Sequence, residues 1–227
     1  MKRKTEESYY KCSHEKVNYT GAAGVVSDIA HRSMECHRWL SSQVVETVLE
    51  VGARQGQHFK YVKHPFRSYL ETHLDPNLLK DCNPKDVRRS SHRESINVES
   101  LPFPNESFDR VIATCLLAHV ASPELMMWET MRVLRPSGIA TIYIPCEPEI
   151  LLRVSQILFT RRKQKKLGLD AHILHYREHR NHYPGMLWEV RVIVRSVPGS
   201  RLSVRRFPTL ILGWNCNLWA VATIRKG

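Results

Sequence analysis

Nothing in this 227-residue chain approaches an uninterrupted apolar run of about 18 residues, the length a helix needs to span a bilayer. The start, Met1-Lys2-Arg3-Lys4-Thr5-Glu6-Glu7, leads into polar sequence and lacks the apolar stretch of a secretory leader, so the expectation is a soluble, cytoplasmic protein. Cysteine is sparse: Cys12, Cys36, Cys82, Cys115, Cys146 and Cys216 form no Cys-x-x-Cys pair, which removes the zinc-knuckle and disulfide-framework readings. The ten glycines are too few for a fibrous or low-complexity chain. Acidic residues are in deficit, with 22 Asp and Glu against 34 Lys and Arg, a formal charge of +12. Such a surface favours anionic partners, among them nucleic acid, acidic lipid headgroups and phosphorylated small molecules, without choosing between them.

What is present reads as alternating strands and helices in a single domain over residues 1–227. Residues 1–40 form an N-terminal arm and a helix, the helix expected over Val25 to Leu40. Val44 to Val51 is rich in β-branched residues and ends at Gly52-Ala53-Arg54-Gln55-Gly56, a strand followed by a glycine turn. Further strands are expected at Phe66–Leu74, Ser95–Val98, Asp109–Cys115 and Ile139–Ile144, with a helical fragment at Asn77–Lys80. Ser122, Pro123 and Glu124 carry the cap, first-turn proline and acidic residue of a helix start, and Pro136-Ser137-Gly138 is its expected stop. Arg201–Arg206 and Leu218–Ile224 close the chain as a strand pair. The fold class that follows is a Rossmann-like, open, mostly parallel seven-stranded α/β sheet with helices on both faces and an antiparallel terminal pair. Residues 146–199 exceed what one crossover needs and are expected to be a substrate-side insertion.

Glu50 ends the first strand beside the glycine turn. An acidic group there would repel a pyrophosphate but suits a ligand bearing an ammonium and a sulfonium, and the glycines let backbone approach that ligand closely. On Val48-Leu49-Glu50-Val51-Gly52-Ala53-Arg54-Gln55-Gly56, Leu101-Pro102-Phe103-Pro104-Asn105-Glu106-Ser107-Phe108-Asp109-Arg110-Val111 and Met131-Arg132-Val133-Leu134-Arg135-Pro136-Ser137-Gly138, in that order, the chain resembles the class I S-adenosylmethionine-dependent methyltransferases, in particular the small ones that act on metabolites. The resemblance covers roughly residues 40–145. It implies S-adenosylmethionine as cofactor, held around Glu50, Gly52, Ala53 and Gly56, with Glu50 on the methionine ammonium. It places His73 or Asp75 on the ribose, Asn97 and Val98 at the adenine, and Thr114 and Cys115 where the methionine end meets the acceptor. Arg54, His73 and Asn97 depart from the family's usual residues, so a cofactor-impaired binding protein on the same fold is the alternative.

An Asp/Asn-Pro-Pro-aromatic loop, typical of amino-group methylases of nucleobases and glutamine, is absent at Thr114-Cys115-Leu116-Leu117-Ala118-His119. The expected activity is therefore methyl transfer to oxygen or nitrogen of a small molecule, sugar or lipid headgroup. An RNA methyltransferase using the basic surface is the other reading. Cys115 and Cys146 read as structural thiols. His119, just past the fourth strand, is the candidate general base. His172, His175, His179 and His182 share one face if their segment is helical, with Pro184-Gly185 ending that helix; His182 and Tyr183 are candidates for a substrate-facing polar wall. His175 and His179 lack an evident partner segment, so no metal is expected. The apolar segment Ile150–Phe159, followed by Arg161, Arg162, Lys163, Lys165 and Lys166, suits either a helix packed over the sheet or peripheral contact with an anionic membrane.

Overall fold

The computed structural model describes residues 21–41, 44–53, 56–73, 91–147, 150–155, 157–158, 179–209 and 213–227. The N-terminal arm, the Asn77–Lys80 fragment, Arg54, Asp75, His172 and His175 lie outside the described residues. In chain order the elements are α1 (Gly21–Met34), α2 (Arg38–Ser41), β1 (Thr47–Val51), β2 (Ser68–His73), β3 (Ser91–Ser95), β4 (Phe108–Ala113), α3 (Pro123–Val133), β5 (Leu134–Pro145), α4 (Ile150–Ser155), α5 (Tyr183–Ser196), β6 (Arg201–Phe207) and β7 (Trp219–Arg225).

Among the described residues seven strands form one sheet in the order β3-β2-β1-β4-β5-β7-β6. The first five pair in parallel, and β7 runs antiparallel to both β5 and β6. The expected α/β architecture and its terminal strand pair are therefore present. Because side chains alternate across a strand, each strand feeds two cores. Leu49, Val51, Val111, Ala113, Ile142 and Ile224 face α3 and α5, whose Met127, Met131, Met186, Val190 and Ile193 complete one core. Val48, Tyr69, Ile112 and Val221 face the other way, against Ala30 and Met34 of α1 and the ring of Phe59.

Several boundaries differ from the expectation. The single helix over Val25 to Leu40 is two, α1 starting at Gly21 and ending at Met34, then α2. The third strand is not Ser95–Val98 but Ser91–Ser95, with Val98 beyond its end and buried in the core. Ser122 does cap α3, accepting from the Leu125 N–H at 3.3 Å, with Pro123 in the first turn. The helix ends at Val133, before Pro136-Ser137-Gly138. That tripeptide lies instead in an irregularity of β5, where pairing with β4 jumps from Phe108–Leu134 to Arg110–Ile139 and Ser137 takes φ +62°. Asp109 fastens this end of the sheet. Its carboxylate accepts from the backbone of Glu46 and Thr47 and from Arg135 at 2.9 Å, tying the starts of β1, β4 and β5 together.

The expected helix carrying His179 and His182 is absent at those two positions. Residues 179–182 form a non-helical strap, and Tyr183, Pro184 and Gly185 open α5 instead of closing a helix. The reason is local: proline lacks an N–H and is pre-set to φ near −65°, which fits the first turn, where N–H groups have no intrahelical acceptor. No helix among the described residues is long and apolar enough to cross a membrane. Cys36 and Cys216 are exposed thiols, and Cys146 is a fully buried core residue.

Candidate active site

β1 delivers Glu50 to its carboxyl end on the side facing α1. The side chain is completely buried. Its Oε2 accepts from the Tyr69 hydroxyl at 2.6 Å, while Oε1 has no hydrogen-bond partner among the described residues. Burial pushes the carboxyl up to about 8; the Tyr69 bond offsets part of this, and the Glu71 charge on the neighbouring strand adds to it. A buried oxygen whose lone pairs accept no hydrogen bond is a costly feature for a fold to carry without a ligand.

Immediately after it, Gly52 takes φ +68°, and a Cβ there would come within 2.8 Å of Leu116 Cδ1. Only glycine reconciles that backbone with so close an approach of the turn that follows β4. Gly56 also has positive φ and donates its N–H to the Ala53 carbonyl at 2.8 Å, and Ala53 donates to Thr72 at the end of β2 at 2.9 Å. The glycine turn is thus folded back against the strand ends, and Glu50, Gly52, Ala53 and Gly56 are brought together. An orphaned acidic oxygen beside a glycine cradle fits a ligand with a cationic end.

The remaining candidates fall into different environments. His73 is the last residue of β2, next to that cradle. Asn97 is exposed, and its side-chain oxygen accepts from the Glu99 N–H at 3.0 Å, an Asx turn that shapes the loop after β3. Thr114, Cys115 and Leu116 are half-buried in the turn after β4, where Cys115 takes φ +57°. His119 is half-buried one turn further on, and its ring meets that of His179 edge to face with centroids 4.5 Å apart. His182 is the exposed residue preceding α5 and caps it with no side-chain bond. Tyr183 is no part of a polar wall: it is buried among the α3 and α5 side chains, and its hydroxyl accepts from Arg206 Nε at 3.1 Å.

Beneath α1 lies a polar chain that motif reading did not find. Arg110, on β4, is fully buried and donates from both terminal nitrogens to the Glu35 carboxylate, which follows α1. His58 Nε2 donates to Glu35 Oε1 at 2.8 Å, and His31 Nδ1 lies 2.9 Å from His58 Nδ1. With Glu35 ionised, the proton order is fixed: His58 donates from Nε2, so its Nδ1 accepts from His31. On the other side Arg110 donates to His64 Nε2, whose Nδ1 faces the Pro65 carbonyl. Burial alone would raise the Glu35 carboxyl, but the Arg110 charge and the His58 bond win and hold it at about 2. Burial, aided by nearby positive charge, lowers His31 to about 3 and pushes His58 and His64 down as well. The chain joins α1, the segment after the glycine turn and the centre of the sheet. One signal for it was legible: Arg110 stands two positions before Ile112, on the strand face where the alternation calls for an apolar residue.

Residues 49–142 match the family model described as a methyltransferase domain. Among curated proteins, the demethylmenaquinone methyltransferase of Tropheryma whipplei (strain Twist) is 26% identical over 109 residues, covering 48% of this chain and 46% of that protein. An uncharacterised methyltransferase of Mycolicibacterium gilvum (strain PYR-GCK) is 28% identical over 96 residues, 42% of this chain and 38% of its own. The chain thus spans less than half the length of these curated relatives. Among solved structures, the plantazolicin methyltransferase BpumL in complex with SAH superposes with TM-score 0.65 at 9% identity, covering 100% of this chain and 98% of that one. A S-adenosylmethionine dependent methyltransferase from Mesorhizobium loti gives TM-score 0.57 at 14% identity, with 91% and 100% covered. At these identities the structural likeness speaks for the fold.

Proposed function

We propose, from the premise that residues 49–142 form a class I S-adenosylmethionine-dependent methyltransferase domain, that this protein transfers a methyl group to oxygen or nitrogen of a small molecule, sugar or lipid headgroup. The observation that carries the reading is the unpartnered Glu50 oxygen beside the positive-φ Gly52 at the tip of β1. The cofactor supplies an electrophilic methyl carbon on a sulfonium. Glu50 Oε1 would accept from the ammonium end, the glycine turn after β1 would give backbone contact without Cβ interference, and His73 or Asp75 would hold the ribose. Asn97 contributes to the adenine end through the loop it shapes, while Val98 supports that loop from the core.

In-line displacement at a methyl carbon needs the nucleophile held close and unsolvated, which is a positioning task. Thr114 and Cys115 would line that approach, and His119 would take the acceptor's proton. Calorimetric titration with S-adenosylmethionine and its demethylated product should give saturable binding at one site. No heat above background at millimolar ligand would move the protein to the binding-module class.

A lipid-side acceptor has support of its own. Ile150, Val154, Ile157 and Leu158 are all exposed, four apolar side chains leading into the basic run Arg161 to Lys166. Apolar contacts beside clustered cations suit an anionic membrane surface, and one curated relative is named for a demethylmenaquinone substrate. Co-sedimentation with anionic liposomes should fall severalfold when Arg161, Arg162 and Lys163 are replaced by Ala. Equal pelleting of parent and variant would remove the membrane contact.

A further inference from the structure

The strap that replaces the expected histidine helix brings a second set of chemically active groups together. Among the described residues, Cys115, His119 and His179 each offer one ligand atom, and all three atoms lie within 4.8 Å of one another. They come from separate parts of the chain. Cys115 leaves β4 in the left-handed region, His119 follows in the same turn, and His179 arrives 60 positions later.

What holds His179 there is backbone. The N–H groups of Arg180 and Asn181 both donate to the Ala118 carbonyl, at 2.9 and 3.2 Å. The Asn181 amide donates to the Leu117 and Val120 carbonyls at 3.0 and 2.9 Å, and the Tyr183 N–H donates to Glu147 at 3.0 Å. The strap is therefore zipped along the turn that carries Cys115 and His119, and the cluster is no accident of loose side chains. Glu147, itself buried, bonds His179 Nδ1 through its carboxylate, which fixes the ring and leaves Nε2 as the nitrogen through which it would ligate.

We infer that Cys115, His119 and His179 form a binding site for a zinc-class divalent metal ion, with Glu147 as the positioning residue. One thiolate and two imidazoles are the donors of a borderline-soft ion, and the set contains none of the carboxylate-rich oxygen shell that calcium or magnesium requires. Tetrahedral ligand atoms around zinc stand roughly 3.3–3.7 Å apart, given Zn–S near 2.3 Å and Zn–N near 2.0–2.1 Å. The present atoms, within 4.8 Å of one another, would draw together by side-chain rotation as the ion binds. Three protein ligands leave a fourth position, the arrangement of zinc sites that bind water or substrate.

The location gives the fourth position a use. Leu116, between two of the ligands in sequence, packs directly on Gly52 of the cofactor cradle. With the ion bound, His119 serves as a ligand in place of the base, and a hydroxyl or thiol coordinated beside that cradle would lose its proton to solvent at lower pH than in water, so the acceptor class becomes an alcohol or thiol. This last step rests on the methyl-transfer reading; the metal site itself does not.

The test is titration of the untagged, ligand-free protein with Co(II), and with Zn(II) in competition with a chromophoric chelator. One equivalent should bind, with a thiolate-to-cobalt charge-transfer band and the intense visible bands of tetrahedral cobalt. Cys115→Ser should erase the charge-transfer band, and Glu147→Gln should weaken zinc binding 10–100-fold with the band retained. Cys36→Ser and Cys216→Ser, at exposed free thiols, should change neither. Circular dichroism of each variant reports folding, and if Cys115→Ser does not fold, Glu147→Gln against the two control variants decides. Absence of a band in the parent, a band that survives Cys115→Ser, or equal zinc affinity in Glu147→Gln and parent would overturn the site. Calorimetry with S-adenosylmethionine is a separate measurement, so loss of the metal site and loss of the methyl-transfer reading are distinguishable.

Discussion

Replacing Glu50 with Gln should weaken S-adenosylmethionine binding by at least 30-fold and, in the opposite direction, stabilise the ligand-free protein in mild alkali. Both effects come from the same oxygen. Losing one member of a buried charged hydrogen bond costs about 2–5 kcal/mol, which sets the binding loss. The stability effect follows from a carboxyl whose folded value is about 8 against an unpaired value of 4.5. Below about pH 4.5 the group is neutral in both states and costs nothing. Between 4.5 and 8 the unfolded chain releases the proton while the folded protein keeps it, so stability falls by up to about 1.4 kcal/mol per pH unit. Above 8 the loss is complete, on the order of 5 kcal/mol. Gln at this position has no proton to lose, so the difference in urea midpoint between variant and parent should widen from pH 5.5 to pH 8.5. Cofactor binding should release close to one proton from the parent at pH 7, read as a dependence of calorimetric heat on buffer ionisation enthalpy, and none from Glu50→Gln. Unchanged affinity together with no proton release would refute the role given to this residue.

Glu35→Ala should be the most damaging single change outside the glycine turn, costing about 3–5 kcal/mol in chemical denaturation, because it strands the fully buried Arg110 charge. Removing both partners together, as Glu35→Met with Arg110→Met, should recover most of that loss, since apolar replacements leave no charge out of water. Double substitution as harmful as the single one would mean that packing, not charge, is what the pair provides. The same chain predicts sensitivity to acid. Glu35, held at about 2, contributes stability that is complete above pH 4.5 and is lost as pH falls through 2, about 3 kcal/mol in all. His31, at about 3, and the similarly lowered His58 and His64 stay neutral in the fold but charge in the unfolded chain below pH 6.5. Unfolding at pH 5 should therefore take up close to one proton at His31, with His58 and His64 shifting the uptake in the same direction, and the melting temperature should fall from pH 6.5 to 5. A flat profile over that range would show that these rings are not buried neutral.

Where local chemistry dictated structure, the sequence was readable. β1, β4 and α3 carry β-branched alternation or a capped, proline-led start, and each formed close to where it was expected. β3 did not, since Ser91-His92-Arg93-Glu94-Ser95 has no apolar alternation. It is an edge strand held by its ladder to β2, and that ladder is visible only once β2 is in place. Pro184-Gly185 is ambiguous for a similar reason: a proline marks a boundary, but whether it closes one helix or opens the next depends on which side packs. Here Met186, Leu187, Val190, Ile193 and Val194 fill the core beneath α3, so the helix lies downstream.

By itself the sequence determined the sheet architecture, the position of Glu50 and the glycine turn, because strand alternation, glycine freedom and caps act within a few residues. Only the tertiary structure decided that Glu50 retains an unpartnered oxygen in a dry site, that Glu35 and Arg110 meet across 75 positions, and that Cys115 and His119 acquire His179. Those outcomes depend on which faces the folded sheet buries and on a strap zipped to a distant turn, and burial and long-range pairing leave no periodic trace in the chain.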